Sequence, residues 1–128
     1  MSVLLDTHIF LALIEDIFID LPERVRHAVQ RHDKHYISVA SLWEIAIKQR
    51  LGKLHLSVPL EMLPKLVTLL GLSLLLIDER HVLHDLEPKP ATRDPFDRLL
   101  LAQCAIEGFQ LATIDRALVD HRLSATLS

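Results

Sequence analysis

Val3-Leu4-Leu5-Asp6 is an apolar run that ends in an acidic residue, and such a run predicts a short buried strand. Residues 36–39, 72–77 and 109–112 also predict strands, and residues 72–77 give the clearest expectation of burial. Helical segments separate these strands. Because strands that alternate with helices favour a parallel sheet with both faces covered, the sequence predicts a fold of the α/β class.

The predicted helices are bounded by proline and glycine residues. Pro22 and Pro95 fall in the first turns of two helices, and Gly52 and Gly108 stop two helices. Pro64 either lies in the first turn of another helix or splits it. The helices are expected at residues 8–14, 20–32, 41–51, a segment ending near residue 71, 79–86 and 94–107.

Length and composition predict one folded domain over residues 1–128. Half of the residues are hydrophobic and the mean hydropathy is +0.28, which excludes a disordered chain. No apolar run is long enough to cross a membrane, and the first residues lack the pattern of a signal peptide. Cys104 is the only cysteine, so no intrachain disulfide can form. We therefore expect a cytoplasmic protein.

Four acidic residues stand at corresponding places in this layout. Asp6 closes the first strand, and Asp115 follows the last one. Glu44 and Asp97 lie in the first turns of two predicted helices. In an open parallel sheet, ligands bind beyond the carboxyl ends of the strands, which is also where the following helices begin. The four side chains are therefore expected to converge, although they are far apart in the sequence.

Converging carboxylates predict a metal site. Carboxylates a few ångströms apart repel one another, and one of them normally becomes protonated. A hard divalent cation such as Mg²⁺ removes this conflict and can bridge the carboxylates to phosphate oxygens, which suits hydrolysis of a phosphodiester bond. The formal net charge of −3 is unusual for a nucleic-acid-binding protein. If four carboxylates bind a metal, the remaining residues carry a small positive net charge.

Each of these acids also has a purely structural interpretation. Ser41 and Glu44 have the spacing of a capping box, in which the glutamate satisfies only a backbone N–H group. Asp94 and Asp97 are both suited to a helix start, and we assign the cap to Asp94 and the metal to Asp97. Asp115 could be a turn or cap residue.

The segments that contain these residues resemble a known family. They are LLDTH (residues 4–8), SVASLWEIAIK (38–48), LGKL (51–54), RDPFDRLLLAQ (93–103) and LATID (111–115). Their sequence and order resemble those of the PIN-domain ribonucleases, and specifically of the VapC-type toxins of bacterial toxin–antitoxin pairs. Each segment alone is weakly specific, but their shared order from end to end is much more specific.

The resemblance implies a three-layer α/β/α sandwich around a central parallel sheet. It also implies a Mg²⁺- or Mn²⁺-dependent endoribonuclease that acts on structured RNA such as tRNA, a cognate antitoxin and a homodimer. The resemblance places the family's acidic site on four residues and a supporting hydroxyl on a fifth. These are Asp6, Glu44, Asp97, Asp115 and Thr113.

The chain departs from many relatives at two positions. Thr92 stands where they have a histidine before the RDPFDR run, which leaves open any substrate contact from that loop. Ala12 stands where they have a tryptophan in the first helix, and this difference affects packing. Arg98 and Arg93 flank the proposed site and are our candidates for contact with the RNA phosphates, with Arg116 and Lys48 as further options. For each arginine, the alternative is a solvated surface charge.

Other functions fit parts of the pattern. A phosphoacceptor receiver-like domain is also a small parallel α/β fold with clustered acids, but Asp6 stands alone at the end of its strand. A catalytically silent PIN-like interaction module would keep the fold without needing the acids. Histidine pairs at 32/35 and 81/84 lack the cysteines or the spacing of common zinc sites. Trp43 is expected to pack or to join an interface.

Overall fold

Strands and helices alternate along the chain, as the sequence predicts. The computed structural model describes residues 1–125, and none of the helices in that part has the length and apolarity needed to cross a membrane. The elements are β1 (Ser2–Leu5), α1 (Thr7–Ile14), α2 (Glu23–Gln30), β2 (Lys34–Ser38), α3 (Val39–Arg50), α4 (Leu63–Leu69), β3 (Ser73–Leu75), α5 (Glu79–Leu83), α6 (Pro95–Glu107) and β4 (Gln110–Ala112).

The four strands form one parallel sheet in the order β3-β2-β1-β4. In this register Leu5 of β1 lies opposite Ile37 of β2 and Ala112 of β4. The carboxyl ends of the three strands are therefore level with one another. The residues that follow them emerge at one edge of the sheet, which is where the sequence predicts a site.

Helices cover both faces of the sheet. Because side chains alternate along a strand, Leu4 faces α6, where it packs in a cluster with Leu101, whereas Leu5 faces the cluster that contains Ile9 of α1 and Val25 of α2. A third cluster joins β2 to α1, α3 and α4. The predicted three-layer α/β/α sandwich is confirmed, and its core is mostly aliphatic.

The helix α3 begins earlier than predicted. Ser38 both ends β2 and caps the helix: its side chain accepts a hydrogen bond from the Ala40 N–H at 3.0 Å, and its backbone is extended. The expected strand over residues 36–39 is present but spans Lys34–Ser38, whereas the expected cap at Ser41 is wrong. Glu44 lies in the second turn rather than the first, so the capping-box interpretation of Ser41 and Glu44 fails as well.

The segment 72–77 is less buried than expected. Only Ser73–Leu75 is a strand, and it pairs with β2 alone, so it forms an edge of the sheet. Leu74 is 39% exposed and Leu76 is 66% exposed. A continuous apolar run favours a strand covered on both sides, but nothing in such a run distinguishes a central strand from an edge strand.

Two predicted helices are shorter than expected. The helix expected over residues 20–32 is α2, which begins at Glu23 because Pro22 is its N-cap, and a separate 3₁₀ turn occupies Phe18–Asp20. The helix expected over residues 79–86 is α5, which ends at Leu83 because His84 has an extended backbone. Neither change moves a proposed site residue.

Candidate metal centre

Asp6 lies at the centre of the carboxyl edge, immediately after β1. It is the N-cap of α1: one carboxylate oxygen accepts the Ile9 N–H at 2.9 Å, and the other accepts the Ile114 N–H at 3.3 Å. The residue is 3% exposed. Burial raises the pKa of Asp6, and its hydrogen bond from the Thr113 side chain opposes that rise. Asp6 is thus a buried carboxyl group held in one orientation.

Thr113 connects Asp6 to Asp115. Its side chain is fully buried just after β4; the hydroxyl donates to Asp6, and its oxygen accepts the Asp115 N–H at 3.0 Å. Asp115 is half-buried, and one of its carboxylate oxygens accepts the Ala117 N–H at 2.8 Å, which forms a turn. The turn interpretation of Asp115 is therefore correct, but it leaves the second oxygen available for a ligand.

Glu44 projects from the second turn of α3 and is almost completely buried. One of its carboxylate oxygens accepts a hydrogen bond from the Thr7 hydroxyl at 2.7 Å, and the other lies 2.6 Å from the Lys48 ammonium. The Ser41 hydroxyl lies 2.9 Å from that of Thr7. A hydroxyl has one proton and a carboxylate only accepts, so the Thr7 hydroxyl donates its proton to Glu44. The Ser41 hydroxyl therefore donates to the oxygen of Thr7.

Asp97 shows that the acids lie close enough to influence one another. It is half-buried in the first turn of α6. Burial makes the largest contribution and the neighbouring charges of Asp94, Asp115, Glu44 and Asp6 follow in that order, and together they raise the pKa of Asp97 to about 7. Four carboxylates drawn from separate elements thus act on one carboxyl group, which is the repulsion expected of a cluster that a cation would neutralise.

Asp94 is the cap of α6, as predicted. One of its carboxylate oxygens accepts the N–H groups of Phe96 at 2.8 Å and of Asp97 at 3.2 Å, and Pro95 occupies the first helical position. The oxygen that caps the helix is occupied by these bonds. The structural part of the assignment, Asp94 as cap, is confirmed, whereas Asp97 as a metal ligand stays a prediction.

The raised pKa of Asp97 predicts how stability depends on pH without metal. The folded state holds the proton more tightly than the unfolded chain, whose carboxyl pKa is near 3.8, so ionisation opposes folding. This contribution to stability is full below pH 4 and is lost as the pH rises towards 7. In EDTA, the free energy of unfolding of the wild type should therefore fall across this range relative to that of Asp97→Asn. The prediction would be contradicted if the free energies of unfolding of the two proteins, measured in urea, changed equally with pH from pH 4 to pH 8.

The donor set fits a hard divalent cation, although the side chains as they stand do not enclose one. Within residues 1–125, no three acidic, histidine or cysteine side chains are grouped closely enough to hold an ion. Glu44 is turned to Lys48, and the pKa of Asp97 favours a bound proton near neutral pH. Carboxylate oxygens are the ligands that Mg²⁺ and Mn²⁺ prefer. Asp6, Asp97, Asp115 and Glu44 could hold such an ion once Lys48 and the proton are replaced.

The two arginines proposed as substrate contacts lie on the surface. Arg98 is exposed and its Nε donates to the backbone oxygen of Thr92 at 3.0 Å, so it fixes the loop before α6. Arg93 is also exposed. The Thr92 hydroxyl accepts the Asp94 N–H at 3.1 Å and lies 3.4 Å from an oxygen of Asp97. Thr92, at a position where many relatives have histidine, thus contributes to the site's support.

The sequence does not assign Thr7 and Ser41 to the site, and it indicates Lys48 only as a further option for phosphate contact and not as the partner of Glu44. The Glu44–Lys48 pair could have been found, because a glutamate four residues before a lysine on one helix is the favoured ion-pair spacing. The contact of Thr7 with Glu44 joins α1 to α3 across the site. No local pattern predicts it, because it depends on how the two helices pack.

The remaining sequence features have structural explanations. Cys104 is completely buried in the core, and burial raises the pKa of its thiol. The His81 ring lies 2.8 Å from Glu107 and also completes the cap of α5, and His32 bonds to Ala28. Trp43 is 58% exposed, and its ring meets that of Phe96 edge-on at 5.4 Å, so it is only partly packed.

A parallel α/β sandwich with acidic side chains at the carboxyl edge of its strands is an architecture compatible with a metal-dependent hydrolase. The comparison with protein families agrees with this class. The model of the PIN domain matches residues 3–122, and the chain belongs to the PIN-domain family. PIN domains are generally metal-dependent nucleases. A search of curated proteins found no significant match.

Proposed function

We propose that this PIN-domain protein is a metal-dependent endoribonuclease and the toxin of a VapC-type toxin–antitoxin pair. The observation that carries the proposal is the mutual influence of Asp97 and the acids around it, which come from four places in the sequence. The order of the family-like segments supports the VapC-type assignment. The target is RNA, with structured molecules such as tRNA as the first candidates.

In this proposal Asp6, Glu44, Asp97 and Asp115 hold Mg²⁺ or Mn²⁺. The cation supplies activation of water and neutralisation of charge on the phosphate. Asp6 is the fixed member, because backbone N–H groups and Thr113 hold its orientation. Asp97 is the member that must release a proton for the metal to bind near neutral pH, because burial and the neighbouring acids raise its pKa to about 7 in the absence of metal.

Arg93 and Arg98 remain the proposed contacts for RNA phosphates. Both side chains are exposed beside the cap of α6, and their positive charge suits contact with phosphates, which supports this part of the proposal. We further propose a cytoplasmic homodimer with a cognate antitoxin. The apolar side chains of Ile19 and Leu69 are 71% and 68% exposed, and a protein partner could bury them.

Cleavage of RNA by the purified protein tests the proposed function. Total bacterial RNA should be cut at discrete positions in the presence of Mg²⁺ or Mn²⁺, cutting should stop in EDTA, and excess Mg²⁺ should restore it. Asp97→Asn protein purified in parallel controls for contaminating ribonucleases. Cleavage that persists in EDTA would contradict the metal-dependent mechanism, and no cleavage with either metal would instead favour a catalytically silent PIN domain.

A further inference from the structure

Lys48 is in direct contact with one of the acids of the site. Its ammonium lies 2.6 Å from Glu44, and the exposed fractions of the two side chains are 42% and 6%. A carboxylate as buried as Glu44 requires compensation for the water it has lost. Thr7 donates a hydrogen bond to one oxygen of Glu44, and Lys48 donates one to the other. In the protein without metal, both oxygens of Glu44 are therefore engaged.

The charge of Lys48 acts on more than Glu44. The pKa of Lys48 is raised first by its hydrogen bond with Glu44 and also by the charges of Glu44, Asp94 and Asp97. One lysine thus offsets acids on both α3 and α6. This is the same repulsion that a divalent cation would offset, so the ammonium and the metal have overlapping electrostatic roles.

We propose that Lys48 is a built-in counter-ion of the acidic site, and that a divalent cation must displace its ammonium from Glu44 in order to bind. The inference rests on the proposed function in one respect, namely that the site takes a divalent metal. In this role Lys48 is a positioning residue. It holds Glu44 in place and keeps the acidic cluster compatible with folding before the metal arrives.

The displaced ammonium has room to move. A cleft of ≈160 Å³ adjoins the pair and is lined by Lys48 and Glu44 together with Thr7, His8 and Lys53. Lys48 is also partly exposed, so its ammonium can regain water when it leaves Glu44. The lysine therefore recovers hydration when it leaves Glu44, and the metal gains a carboxylate oxygen.

Lys48→Met tests the proposal because it removes the charge and keeps a side chain of similar length. In EDTA the buried Glu44 loses its counter-ion, so the melting temperature should fall by roughly 5 °C. Calorimetric titration with Mn²⁺ should show affinity roughly tenfold tighter than that of the wild type, because the metal no longer competes with the ammonium. Lys48→Arg, which keeps the charge, should stay close to the wild type in both measurements.

Lys65→Met is the matched control, since Lys65 is exposed on α4 and the substitution changes the net charge equally. It should change neither the melting temperature nor the Mn²⁺ affinity. If Lys48→Met does not fold, Lys48→Gln takes its place in the same two measurements. A role for Lys48 in packing alone would lower the melting temperature without tightening Mn²⁺ binding.

The outcomes separate the inference from the proposed function. Wild-type protein that binds Mn²⁺, together with a Lys48→Met protein that binds it no more tightly or more weakly, would overturn the counter-ion role alone. Failure of the wild type and of every variant to bind Mn²⁺ would overturn both the metal-dependent function and the competition between Lys48 and the metal.

Discussion

Asp97→Asn is expected to reduce metal-dependent RNA cleavage by more than ~100-fold, the upper end of the loss seen for residues that only support metal ligands. The substitution keeps the shape of the side chain and removes its charge. Because burial and the four neighbouring carboxylates already disfavour the ionised form of Asp97, the variant should be at least as stable as the wild type at pH 7.5 in EDTA. The loss of cleavage would then not result from unfolding.

Asp94→Asn is the matched control, because it removes one negative charge three residues away on the same helix. Its amide oxygen can still accept the N–H groups of Phe96 and Asp97, so it should cost at most ~1 kcal/mol of stability and retain most of the activity. Initial cleavage rates and urea unfolding should be measured on both variants. An inactive Asp94→Asn beside an active Asp97→Asn would reverse our assignment of cap and ligand.

Thr113→Val is expected to weaken Mn²⁺ binding by about 10–100-fold and to destabilise the fold by about 1–3 kcal/mol. Valine has nearly the same shape but lacks the hydroxyl that donates to Asp6 and accepts the Asp115 N–H. The Asp6 carboxylate, which is buried, and the Asp115 N–H, which is part-buried, would each lose a partner. Asp6 and Asp115 would also lose the connection that fixes their relative orientation.

Thr113→Ser keeps the hydroxyl and serves as the control. It should bind Mn²⁺ nearly as the wild type does, with a small loss of stability from the missing methyl group. Calorimetric Mn²⁺ titration and urea unfolding measure the two effects separately. A Thr113→Val protein with the metal affinity of the wild type would show that the hydroxyl supports the fold and not the metal.

Local patterns predicted the features that depend on local chemistry. Asp94 and Pro95 predicted the start of α6 correctly, and Gly108 predicted its end, because caps and stops involve only a few neighbouring residues. The parallel sheet also followed from the alternation of strands and helices. That topology explains why residues as distant in sequence as Asp6 and Asp115 both connect to Thr113.

The sequence misled where two local interpretations competed. Ser38 and Ser41 are both acceptable N-caps, and only the end of β2 selects Ser38. Residues 72–77 are apolar enough for a central strand, yet their place at the edge depends on the order of strands in the sheet. The pairing of Glu44 with Thr7 depends in the same way on the packing of α1 against α3, which no single segment encodes.

The central claim is that Asp6, Glu44, Asp97 and Asp115 share a divalent cation. The most direct test is a crystal of the protein grown with Mn²⁺, in which anomalous scattering locates the metal independently of the protein atoms. We expect a peak about 2.0–2.4 Å from carboxylate oxygens of this set, with the Lys48 ammonium moved away from Glu44. A saturated crystal with no peak among these oxygens, or with its only bound Mn²⁺ elsewhere, would contradict the account.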